Sequence, residues 1–97
     1  MVLYRDVIEA AIDKFVDVQG EKAKDVAGGI EGLEVRDDGS VTKINGNKKE
    51  IFNELLDEYV EMGGPVATLL IKNGVEDQTG KSTEEIATEL DLPERLL

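Results

Sequence analysis

The chain has 97 residues, 40% of them hydrophobic and 34% charged, with a formal net charge of −11. That is enough material for one domain with one modest core. The lack of Cys and His excludes disulfides, thiolate and imidazole metal sites and Cys or His nucleophiles, and 22 acidic against 11 basic residues disfavours phosphate backbones as partners.

The N-terminal stretch LYRDVIEAAIDKFVDV spaces Leu3, Val7 or Ile8, Ala11 or Ile12, and Phe15 as one face of a helix, with Asp6, Glu9, Asp13 and Lys14 largely opposite. This helix is expected to end near Gln19-Gly20. Ala23, Val26 and Ala27 predict a short second helix that stops at Gly28-Gly29. From Gly32 the period changes. Leu33-Glu34-Val35 and Val41-Thr42-Lys43-Ile44 alternate apolar with polar around the turn-forming Asp37-Asp38-Gly39-Ser40, which predicts a β-hairpin over about 33–44.

Asn47, with Glu50 three residues on, is a capping-box pattern opening a third helix. Its apolar stripe is Ile51, Phe52, Leu55, Leu56, Tyr59 and Val60, extending to Met62. Gly63-Gly64-Pro65 should break that helix and start another at Val66. Val66-Ala67-Thr68-Leu69-Leu70-Ile71 is apolar all round, as in a helix buried centrally or in an interface. Asn73-Gly74 is expected to stop it, leaving 75–81 as a flexible linker. Ser82-Thr83-Glu84-Glu85 is a second capping box, predicting a C-terminal helix over 82–92 before Pro93 and a short tail. The expected architecture is α+β and mostly helical: about five helices with one hairpin between the second and third, in a single domain whose core spans about 3–74.

Several motifs propose chemistry and fail on inspection. Thr79-Gly80-Lys81-Ser82-Thr83 resembles the end of a nucleotide-binding P-loop, but the first glycine of that pattern would fall on Val75. Glu76 and Asp77 would also aim carboxylates at the phosphates, so Ser82 reads as a helix cap. Asp37-Asp38-Gly39 resembles the start of a calcium loop, but Thr42 and Lys48 occupy the positions where glycine and glutamate are needed. The carboxylate pairs Glu84/Glu85, Glu58/Glu61 and Asp57/Glu61 fall on polar helix faces, not in a pocket that would separate their pKa values. Ser82–Leu90 resembles the opening helix of a helix-turn-helix, yet Arg95 is the sole basic residue after it, so DNA binding does not follow. The remaining basic candidate, Lys48-Lys49, is too small a patch for nucleic acid.

These residues lead to a non-enzymatic protein-interaction or regulatory module, with Val66, Leu69, Leu70 and Ile71 as the candidate interface and self-association as one use of it. The alternative is a small-molecule sensor with Phe52, Leu56, Tyr59 and Val60 lining an apolar pocket against the first helix. No catalytic residue, cofactor, metal, membrane or nucleic-acid partner is expected. With no signal-like N-terminus and an apolar run far shorter than the ~20 residues of a membrane span, the expected location is the cytoplasm. The acidity reads as a solvated surface or as adaptation to a saline cytoplasm.

Overall fold

A computed structural model describes residues 2–97. The elements run α1 (Tyr4–Gln19), α2 (Lys22–Gly28), β1 (Leu33–Val35), β2 (Val41–Ile44), α3 (Lys48–Gly63), α4 (Val66–Thr79), α5 (Thr83–Ala87) and a closing 3-10 turn (Glu94–Leu96). The fold is α+β, 64% helical, with the antiparallel hairpin between the second and third helices as expected.

α1 is the hub. It packs against α2, α3, α4 and the second strand, with α4 as its most extensive partner. Tyr4, Val7, Ile8, Ala10, Ala11, Ile12 and Phe15 are all buried, a wider face than one amphipathic stripe, because neighbours cover the helix on several sides. Its first turn is closed by the Leu3 amide donating to the Asp6 carboxylate at 3.0 Å. Two aromatic pairs join α1 to α3: Phe15 stacks on Tyr59 with centroids 4.2 Å apart, and Tyr4 meets Phe52 edge-on at 6.0 Å. Such pairs add ~0.5–1.5 kcal/mol beyond the area they bury. The Tyr59 hydroxyl donates to the Ala23 carbonyl at 2.8 Å, which ties α3 to α2.

Two strands alone are marginal in water, so the hairpin must lean on helices. Leu33 and Val41 are nearly fully buried under it, and the Val41 amide donates to Glu9 Oε2 on α1 at 2.7 Å. In the turn, the Ser40 hydroxyl and amide donate to Asp38 Oδ1 at 2.6 and 2.9 Å. Those bonds hold the Asp38 carboxyl below its ordinary pKa, and they occupy an oxygen that the calcium reading had left free.

Both predicted caps form. Asn47 Oδ1 accepts from the Glu50 amide at 3.0 Å, and Ser82 Oγ accepts from the Glu85 amide at 3.2 Å while the Glu85 carboxylate accepts from the Ser82 amide. Two boundaries differ from expectation. The fourth helix does not stop at Gly74 but continues to Thr79, so most of the expected 75–81 linker is helical. Gly74 and Val75 are both buried, and that burial outweighs the ~1 kcal/mol propensity cost of a helical glycine. The stop is Gly80, whose φ of 72° is the left-handed conformation that glycine adopts without a Cβ penalty. The C-terminal helix is shorter than 82–92 because α5 ends at Ala87. The tail beyond Pro93 is packed: Leu92 and Leu96 are buried, the closing turn contacts α4, and Arg95 pairs with Asp57 at 2.6 Å. One continuous cluster of buried side chains runs from Val2 to Leu96.

Candidate functional site

The apolar pocket expected on α3 is filled by its own lining. Phe52, Leu56 and Tyr59 have no exposed surface, and Val60 is partly buried against the same cluster. Phe15 lies on Tyr59, so the space between α1 and α3 is core. Burial pushes the Tyr59 phenol well above its ordinary pKa, and burial with the Asp91 carboxylate nearby does the same for Tyr4. Both hydroxyls are spent on carbonyls, Tyr4 on that of Asp91 at 3.0 Å. Neither is poised to act as an acid or a base.

The Val66–Ile71 segment divides between core and surface. Ile71 is fully buried and leaves the candidate interface, and Leu70 is partly covered. Val66 and Leu69 are 52% and 56% exposed. They open α4 beside the last turn of α1, since the chain at Gly63 passes close to Phe15 and Gln19. Val18, 46% exposed, lies on that same last turn. Asp17, Glu21 and Glu61 are exposed on the flanking segments. Val66 and Leu69 make a small apolar face at the start of α4, with more carboxylates than cations exposed on the flanking segments.

The opposite end of α1 opens on a surface cleft of about 730 Å³. The start of α1, the end of β2, the Gly46-Asn47 turn, the first turn of α3 and the turn after α5 form its walls. Arg5, Lys43, Lys48 and Lys49 line it, as do Glu89 and Asp91. Lys49 is engaged with Asp91 at 3.2 Å. Among the described residues, Arg5, Lys43 and Lys48 have no carboxylate within the 4.0 Å of an ion pair. The patch legible in the sequence as Lys48-Lys49 is thus twice that size, because the fold adds Arg5 from α1 and Lys43 from β2. Only one local signal marks it: two lysines in the first turn of α3, where the helix dipole favours carboxylates.

The P-loop-like stretch is structural throughout. Glu76 Oε2 accepts from the Thr83 amide at 2.9 Å, so that amide is taken up by a carboxylate of the chain itself. The Thr79 hydroxyl donates to the Val75 carbonyl at 2.7 Å, and Lys81 faces Glu89 at 3.9 Å. The carboxylate pairs are exposed on helix surfaces, with Asp57 held by Arg95 and Glu84 by Lys72 at 3.5 Å. Among the described residues no group of three or more carboxylates is arranged to hold a metal ion, and no helix is long and apolar enough to cross a membrane. Compared with known protein families, with curated proteins and with solved structures, the chain matches none.

Proposed function

We propose that this chain is a non-catalytic binding module that engages a protein partner through the apolar face at the start of α4. The observation that carries the reading is the exposure of Val66 and Leu69, each more than half accessible, on adjoining positions of one helix. Single exposed aliphatics are ordinary, whereas adjoining ones in a polar surround are a feature of interaction sites. The rim supplies the partner's chemistry. Asp17, Glu21 and Glu61 suit a basic surface presenting an apolar anchor, since complementary charge speeds and orients encounter. The same rim opposes a second copy of the chain, because a two-fold contact would bring like charges together.

The test is a photo-crosslinker placed at residue 69 in the intact protein inside cells. The expected product is one discrete adduct with a basic protein, lost when Val66 is changed to Asp. Diffuse labelling, or labelling that survives the change, would remove this face as the site. Sedimentation of the isolated chain separates the reading from self-association. A monomer is expected at roughly 100 μM, well above the Kd of a stable dimer. A concentration-dependent dimer abolished by Leu69→Asp would replace the basic partner with a second copy.

A further inference from the structure

The geometry points to a second binding site: the cleft between the starts of α1 and α3 takes a small organic anion, a carboxylate or phosphate head on a short apolar body. Charge is distributed unevenly over this molecule. The cleft gathers four of the chain's cations against two carboxylates, while the rest of the surface holds seven cations against twenty carboxylates. Of the seven cations outside the cleft, Lys24, Lys72, Lys81 and Arg95 have a carboxylate partner and Lys14, Lys22 and Arg36 have none among the described residues, whereas within the cleft only Lys49 is paired. What sets Arg5, Lys43 and Lys48 apart is that these three, unpaired among the described residues, line one concavity.

Two of these cations also break a local rule. Arg5 lies in the first turn of α1 and Lys48 in that of α3, both at the positive end of a helix macrodipole, so each opposes the stability of its own helix. Departures of this type without an intramolecular return are expected where a residue serves binding. The apolar part of the cleft defines the rest of the ligand. Leu3 is 46% exposed, and Ile44 and Leu90 are only partly covered, which offers a surface for a hydrocarbon or ring beside the cationic wall. A volume of about 730 Å³ is ample for one such molecule. The acidic surface beyond the cleft selects against a polyanion, whose flanking charges would meet carboxylates, and admits a small anion that reaches the cations alone.

The experiment is an amide-resolved NMR titration of the intact chain with phenyl phosphate, hexanoate and inorganic phosphate. Saturable shifts confined to the β2–α3 turn, the start of α1 and Leu90 are expected with phenyl phosphate or hexanoate, and weaker ones with inorganic phosphate. The double change Lys43→Gln and Lys48→Gln should weaken binding roughly tenfold through loss of charge-assisted contacts. Both side chains are exposed, so the variant spectrum will also report that the fold is kept. Lys22→Gln is the control. It changes charge on α2, at the far end of the 16-residue α1, about 24 Å away along its axis. Non-saturating or scattered shifts, equal weakening by Lys22→Gln, or inorganic phosphate binding as tightly as phenyl phosphate would each overturn the inference.

Discussion

Gly74→Ala is the sharpest test of the packing. Gly74 lies inside α4 where that helix crosses α1, and a Cβ added there would sit 2.5 Å from Lys14 Cβ and 2.8 Å from Lys14 Cγ. Carbon atoms pack at about 3.5–4.0 Å. Lys14 Cβ is fixed to its backbone and cannot rotate away, so the two helices must part by roughly 1 Å along the largest interface in the molecule. Overfilling a packed contact costs ~1–3 kcal/mol, and alanine in place of a helical glycine returns ~1 kcal/mol. The expected net loss is about 0–2 kcal/mol, which in a domain of this size lowers Tm by up to roughly 15 °C. Gly28→Ala is the matched control. Its Cβ would meet nothing within 4 Å, so stability should hold or rise slightly. Lys14→Ala in the Gly74→Ala background relieves the Cγ contact but keeps the Cβ contact, so rescue should be partial. Thermal and urea melts read all three. A Gly74→Ala protein that melts above wild type, by as much as a helical glycine-to-alanine change returns with no clash, would mean that α1 and α4 are not in close contact at this crossing, and the packing argument would fall.

Other outcomes follow from buried polar groups and from charge. Tyr4 and Tyr59 have phenol pKa values raised above the ordinary 10.0 by burial. Their contribution is therefore complete below pH 10 and is lost as pH rises through the folded-state values. Unfolding free energy should fall above pH ~10, and Tyr59→Phe should flatten part of that fall in urea titrations while costing ~1 kcal/mol at neutral pH through the lost bond to Ala23. Thr83 is fully buried and its hydroxyl has no partner among the described residues. Thr83→Val should raise stability by about 1 kcal/mol, and a lower Tm would show that the hydroxyl is satisfied in solution. If the acidity serves a saline environment, Tm should climb steadily between ~0.1 and ~2 M salt as self-repulsion is screened. A flat profile would leave the charge as a solvated surface only.

The helices and the hairpin were readable because their signals are local: apolar periodicity, side-chain caps at Asn47 and Ser82, and the Asp37–Ser40 turn. Gly74 misled because glycine is both a common helix stop and the residue that lets two helices touch. Choosing between those roles requires knowing that Lys14 lies opposite, some sixty positions away in sequence. The same limit applied to the apolar residues of α3. Periodicity shows which face Phe52, Leu56 and Tyr59 share, but not whether a ring from α1 fills the space in front of it. For the cationic cleft, Lys48-Lys49 carried the only local trace. Arg5 and Lys43 joined them through topology, since the hairpin returns the chain to the start of α1.

The pairing of α1 with α4 also bears on how the protein comes into being. α1 has a broad apolar surface, and its largest partner is synthesised only after α2, the hairpin and α3. Closing that contact means closing a loop through the middle of the chain, which slows folding relative to a bundle of sequential neighbours. A nascent chain halted before Val66 therefore presents an unmatched hydrophobic helix to its surroundings. Stable structure should appear on the ribosome abruptly, as α4 clears the exit tunnel, and not by gradual accretion.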